Sequence, residues 1–310
     1  MPSSHSSKPI LVTGAHRTGT TWVGKMLSAS GEGAYISEPL NVWHRPGVMS
    51  TPISHWYTYI CAENEEQYLP GFRQTLAFRY HLWREIVSLR SRKDTLRMFR
   101  DWSTFLKGRM GNLRPILKDP FAVFSAPWFA ERLGCRVVIT VRHPTAFASS
   151  LKRLNWRFQF EDLLAQPLLM RDLLNPYRGE IEAALHQEII IQASILWKII
   201  YQTVAKFLQE HPDFVRVSHE DLSLEPVAGF SQLYHQLGMT FNSRAQKAVL
   251  DSSNSQNPAE LSRQSIHAYK LDSRANLQRW KSRLTLDEIE RIHQITADTA
   301  ALYYPADSWG

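Results

Sequence analysis

The feature that most constrains this chain is a junction near its start. The β-branched run Ile10-Leu11-Val12 leads into Gly14-Ala-His-Arg-Thr-Gly19-Thr-Thr21, and a helical pattern runs from Thr20 to Leu27. Strand, glycine-bounded loop and helix, in that order, aim successive backbone N–H groups and a helix N-terminus at one anion. The G-x-x-x-x-G spacing is that of a Walker A loop, but Thr20 stands where such a loop carries its Lys. A phosphate cradle without that Lys lacks the cation for a triphosphate tail. A cation lies inside the loop instead, as Arg17. The bland alternative is a strand–helix turn of purely structural origin.

The rest of the chain continues the alternation. Ile116-Leu117, Val137 to Val141 and Phe214 to Val217 read as further buried strands, and longer amphipathic stretches separate them. Pro127 to Leu133 reads as a helix stopped by Gly134, Pro144 suits a first helical position, and Thr285-Leu-Asp-Glu288 fits a capping box. The expected fold class is α/β: a P-loop-like parallel sheet flanked by helices, with helical, aromatic-rich substrate-binding insertions. A length of 310 residues suggests about two domains, but no repeat or flexible linker divides the chain, so residues 1–310 are expected to form one. Two inserts, at about 41–115 and 155–177, are crowded with aromatics such as Trp43, Trp56, Tyr57, Trp83 and Trp156. Aromatic clusters are mostly core, yet inserts after strand-ending loops sit where α/β proteins build substrate pockets.

Composition removes several classes. Hydrophobic residues are 44% and charged residues 21%, an ordinary globular balance. Cys61 and Cys135 could form at most one bridge and read as buried small hydrophobes in a reducing compartment. Residues 1–9 hold no apolar run, and the most apolar stretch, Ile189 to Leu208, is interrupted by Lys198 and Lys206. Neither a secretory signal nor a transmembrane segment is expected, and the expected location is cytoplasmic. The 12 histidines form no ligand pattern, so no metal is expected. Net charge is +7, with the densest basic stretch from Leu89 to Arg100. A solvated helix face is the preferred reading there, ahead of contact with an anionic substrate. No nucleic-acid motif accompanies it, so no nucleic-acid partner is expected.

Arg17 followed by Thr18-Gly-Thr-Thr-Trp22 resembles the 5′-phosphosulfate loop of the sulfotransferases that use 3′-phosphoadenosine 5′-phosphosulfate (PAPS). The glycan- and tyrosine-modifying branches carry Arg-Ser-Gly-Thr-Thr there. In that family an Arg at a strand end and a Ser eight residues later read the 3′-phosphate. Arg142 and Ser150 stand at that spacing within residues 137–150, and the spacing, not geometry, selects Ser150 over Ser149. Lys118 lies 24 residues before Arg142, at the family's second sulfonate-contacting lysine. His219-Glu-Asp-Leu222 is similar to a Tyr-Glu-Asp-Leu segment, and Arg274 stands where relatives place a basic pair over the 3′-phosphate. The resemblance implies PAPS as donor, without a metal, and an acceptor hydroxyl. It assigns Arg17, Thr18, Gly19, Thr20, Thr21, Trp22, Arg142, Ser150 and Arg274 to the cofactor, residues 12–22 forming the phosphosulfate loop.

Sulfuryl transfer needs converging donors, here Arg17, Lys118 and the loop N–H groups, and a base for the acceptor hydroxyl. Glu38, in Ile36-Ser-Glu-Pro-Leu40, resembles the segment that supplies the base in glycan and tyrosine sulfotransferases and is preferred. Asp119 competes, but the neighbouring Lys118 is expected to hold it ionised and paired. His44, His55 and His81 stay open. Trp22 is expected to stack on the adenine, worth roughly 1–3 kcal/mol, against packing under the sheet. The Glu-Pro segment and the aromatic, basic inserts favour a carbohydrate acceptor, since aromatic faces stack on sugar rings, with a lipid, a phenolic metabolite and a protein tyrosine left open. A P-loop kinase using ATP is the rival activity, and it lacks both its Lys and acidic residues placed for Mg²⁺.

Overall fold

The computed structural model describes residues 8–43, 45–260 and 269–309, so His44 lies outside it. Five strands form one parallel sheet in the order β2-β3-β1-β4-β5: β1 Ile10–Gly14, β2 Gly33–Ser37, β3 Arg114–Lys118, β4 Arg136–Val141 and β5 Val215–Ser218. Ile10 pairs with Ile116 on one side and Arg136 on the other, which makes β1 central. Every residue of β1 and β3 is buried, as expected where helices cover both faces of a sheet.

The two-residue period of a strand divides the core. Leu11, Leu117, Val137 and Ile139 face one cluster with Leu196, Trp197 and Ile200. Ile10, Val12, Ile116 and Val138 face the other, with Trp22, Phe230 and Tyr234. The helix following β1 is α1, Thr20–Ser28. The first insert folds into α2 Glu65–Leu76, α3 Leu82–Ser88 and α4 Arg92–Met110. Next come α5 Ala126–Leu133, closed by Gly134 at φ 65°, and α6, which starts at Pro144 and runs to Leu154. Three short helices, α7 Glu161–Leu164, α8 Pro167–Leu169 and α9 Arg178–Ala184, carry the second insert and its sequel.

The apolar stretch from Ile189 is α10 (Ile189–Glu210), buried along most of its length. No described helix is long and apolar enough to cross a membrane. The chain closes with α11 His219–Leu224, α12 Pro226–Gln236, α13 Ser243–Ser253, α14 Ser273–Leu277 and α15 Leu286–Ala300. At α15 both halves of the Thr285–Glu288 capping box are formed. Both cysteines are free; Cys135 is buried, but Cys61 is only half-buried, against expectation.

Edge strand β2 is absent from the sequence reading. Gly33-Ala-Tyr-Ile-Ser37 is short and half-polar, and among the described strands it pairs only with β3. It matters because its end delivers Glu38. The insert aromatics divide as well: Tyr57, Phe72, Phe78 and Phe105 are core, whereas Trp43 and Trp83 are 73% and 77% exposed.

Candidate active site

Two glycines set the loop between β1 and α1. Gly14 has φ 140°, and a Cβ there would meet the Thr140 carbonyl oxygen at 2.4 Å. Gly19, at φ 97°, would press a Cβ to 2.8 Å from the His219 ring. Neither position admits a side chain without displacement. The Thr18 hydroxyl braces the loop from within, donating to Ala15 O at 2.6 Å and meeting Thr140 Oγ1 at 2.8 Å. Gly19 caps α1 without a side chain, so among the described residues no side-chain cap takes the first-turn N–H groups of Thr20, Thr21 and Trp22. They face the loop as an anion cradle.

A pocket of about 100 Å³ opens beside this N-terminus, lined among others by Arg17, Thr21, Trp22, Arg142, His219 and Asn276. Arg142 donates to Arg17 O and, at 2.9 Å, to Asn276 Oδ1; its buried Nε has no partner among the described residues. Burial lowers the Arg142 pKa, and burial with Arg142 close by brings Arg17 down to about 10. Arg17 Nε reaches Ser150 Oγ at 3.3 Å. Trp22 is 7% exposed: its indole N–H donates to Ser252 Oγ at 2.8 Å, it meets Phe230 edge-on, and another part of it forms pocket wall. Arg274 is not brought here. It is exposed, donates to Leu224 O and pairs with Glu225, while its neighbours Ser273 and Asn276 line the pocket.

Across the loop lies a far larger cleft of about 1120 Å³. Arg17, Thr20 and Thr21 line both cavities, so the two meet at the start of α1. Glu38 lines the cleft side. Its backbone is left-handed at φ 50°, as Arg17's is at φ 69°. Asn155, at φ 50°, also lines the cleft, while Tyr57 and Phe78 take the same left-handed conformation in the core. Glu38 Oε1 accepts from Lys118 Nζ, and Oε2 accepts from Asn41 Nδ2 at 2.7 Å.

Lys118 is wholly buried and lines neither cavity. Burial works against its charge, but Tyr35, Glu38 and Asp119 outweigh that and raise its pKa. The expected Lys118–Asp119 pairing is not what forms, because consecutive strand residues point to opposite faces and Lys118 turns to Glu38. Asp119 is buried instead, and its pKa rises to about 7, chiefly by desolvation. Its carboxylate accepts the N–H groups of Leu40 and Phe121, which anchors the turn after Glu38. His55 contacts Asp162 and His81 contacts Gln74; neither lines the cleft.

A sequence model described as "Sulfotransferase family" matches residues 9–243. The chain belongs to that family. It is therefore a sulfotransferase enzyme, with the α/β fold expected of it. Solved structures resemble it at low identity. The sulfotransferase domain from the curacin biosynthetic pathway is 17% identical, with TM-score 0.47 over 95% of this chain and 98% of that one. The sulfotransferase domain of the Synechococcus PCC 7002 olefin synthase is also 17% identical, at 0.46 over 98% and 99%. Mouse sulfotransferase SULT7A1, solved complexed with PAP, is 11% identical, at 0.42 over 98% and 89%. No curated protein matches the sequence.

Three further features line this sulfotransferase's candidate site, and the sequence reading passed over the first of them. The first is His16, inside the loop itself. It is buried, and desolvation with Arg17 beside it pushes its pKa down to about 3, so the ring is neutral. Tyr57 Oη accepts the His16 backbone N–H and lies 2.7 Å from Nδ1. The tautomer that satisfies both groups has Tyr57 donating to Nδ1 and the ring proton on Nε2, a nitrogen without a partner among the described residues. The second is an aromatic wall of Trp43, Trp56, Phe121 and Trp156. The third is a basic stripe. Lys93, Arg97, Arg100 and Lys107 of α4 line the cleft, where a plain solvated face was expected. Among the described residues no group of three His, Cys, Asp or Glu is placed to hold a metal.

Proposed function

We propose that this enzyme moves a sulfuryl group from PAPS to a hydroxyl of a carbohydrate acceptor, without a metal, with residues 1–310 acting as one domain. The observation that carries the reading is the shared wall of Arg17, Thr20 and Thr21: a nucleotide in the smaller pocket would present its sulfuryl group to the larger cleft there. The open N–H groups of α1 and the Arg17 guanidinium would neutralise charge on the sulfuryl oxygens as the acceptor oxygen bonds to sulfur and the sulfur–phosphate oxygen bond breaks. Glu38 takes the hydroxyl proton. Lys118, buried behind it, acts by holding Oε1 so that the rest of the carboxylate faces the cleft. Arg142, which donates to Arg17 O, suits the 3′-phosphate, and Ser150 meets the same Arg17 through its Nε. The aromatic wall supports a sugar acceptor.

The test is calorimetry with adenosine 3′,5′-bisphosphate, 5′-AMP and ATP, followed by transfer of label from ³⁵S-PAPS to oligosaccharides, phenols and steroids. A clear preference for the bisphosphate and label on an oligosaccharide are expected. Tight Mg²⁺-dependent ATP binding would overturn the donor, and label only on phenols or steroids would overturn the acceptor.

A further inference from the structure

We propose that α3 and α4 form a docking surface for an anionic lipid bilayer, which sets the mouth of the cleft at the membrane–water boundary. Of the thirteen exposed large hydrophobic residues of the described structure, eight lie on these two helices. Scattered single residues would be ordinary, but such a concentration on two helices packed against each other points to an interaction site. Met110, Trp83, Val87 and Leu96 are 79%, 77%, 74% and 71% exposed.

The helical period shows how α4 is divided. Met98, Asp101, Phe105 and Gly108 point into the protein. Lys93, Arg97, Arg100 and Lys107, at successive spacings of four, three and seven, form the stripe along the cleft. Fourteen residues at about 1.5 Å each make that stripe roughly 21 Å long. Beside it, on the outer side, run Leu96, Phe99, Leu106 and Met110. A helix with cations along one flank and large apolar residues along the next has the composition of one that lies in a membrane interface. The exposed Trp83 on α3 suits the same depth.

Charge decides which partner fits. Helix α4 carries six Lys or Arg and two Asp. Asp94 is engaged by Arg97, and Asp101 by Arg45 and Arg100. Lys93 and Lys107 have no ion pair among the described residues. A second copy of this chain would bring two like-charged stripes together, whereas anionic headgroups supply the missing charge. The apolar row accounts for insertion, which a soluble polyanion in the cleft would not need.

The experiment is sedimentation of the whole chain with phosphatidylcholine vesicles, alone or containing roughly one-third phosphatidylglycerol, at low and high salt. Binding to the anionic vesicles about tenfold or more above the neutral ones, weakened by salt, is expected. The variant W83S/V87S/L96S/M110S changes only strongly exposed side chains and should keep the wild-type melting temperature while losing about tenfold in vesicle binding. Equal binding to both vesicle types would overturn the proposal. So would unchanged binding by the variant, or wild-type self-association that the variant abolishes, which would give the face to a second copy. Capture by a soluble acidic oligosaccharide, with no vesicle binding, would confine the stripe to the cleft and overturn it too.

Discussion

The two cavities that meet at α1 are built by different means. The pocket proposed for the nucleotide, about 100 Å³, depends on backbone: two glycines, a helix N-terminus without a side-chain cap, and an Arg at the end of β4. The cleft proposed for the acceptor, about 1120 Å³, depends on side chains from segments far apart in sequence, including Glu38 after β2, Trp156 after α6 and the cations of α4. A backbone cradle tolerates little change because each glycine is held by a neighbour within 3 Å. A cleft of converging side chains can be re-lined without disturbing the sheet. One fold can therefore keep a fixed donor site while its acceptor varies.

The largest expected effect is on the acceptor side. If Glu38 is the base proposed above, Glu38→Gln removes it but leaves the cradle, so turnover should fall by about 10²–10⁴ while affinity for adenosine 3′,5′-bisphosphate holds. The substitution also strips a wholly buried Lys118 of its counter-charge, which by itself is destabilising. The double variant Glu38→Gln/Lys118→Met separates the two effects: its melting temperature should recover and its turnover should not. Recovery of turnover in the double variant would make Glu38 structural and break the division between donor and acceptor roles.

That division also follows what could be read from sequence. Strand, loop and helix around Gly14 and Gly19 are local and could be read directly, as were the start of α6 at Pro144 and the capping box at Thr285. Strand β2 could not be, since an edge strand with one buried face and polar ends has a weak pattern. Lys118 was read by its spacing, but its choice of Glu38 over Asp119 follows from strand alternation and a turn seen only in three dimensions. His16 lay within the recognised loop. Its signal, an aromatic cage closing over a neutral ring, comes from segments more than a hundred residues away, such as Phe121, Phe147 and Trp156.

On the donor side the expected effect is smaller. Arg142 holds its place by hydrogen bonds to Arg17 O and Asn276 and has a buried Nε to offer. A charge-assisted bond to a phosphate contributes about 1.5–3 kcal/mol, so Arg142→Ala should weaken bisphosphate binding roughly 10- to 100-fold. Binding of 5′-AMP should barely change, and the preference between the two nucleotides should vanish. Equal losses for both would mean that Arg142 shapes the loop rather than reads the 3′-phosphate.

The smallest effect, at most about 1.4 kcal/mol per pH unit for each group, distinguishes the two sides by sign. His16, in the donor loop, titrates near 3 when folded against 6.5 ordinarily, so the unfolded chain binds the extra proton between those values. Its contribution to stability is complete above pH 6.5 and is lost as pH falls. Asp119, which anchors the acceptor-side turn, titrates near 7 when folded against 3.8 ordinarily, so here the folded chain binds the extra proton. Its contribution is therefore greatest at low pH and declines as pH rises toward 7. His16→Asn keeps an acceptor for Tyr57, and Asp119→Asn keeps one for a backbone N–H. In urea melts at about pH 4.5 and 6.5, the stability advantage of wild type over His16→Asn should grow with pH, and its advantage over Asp119→Asn should shrink. Slopes of the same sign would show that one of the two groups is not held in the burial described, and the variant whose slope departs from expectation identifies which side has been misread.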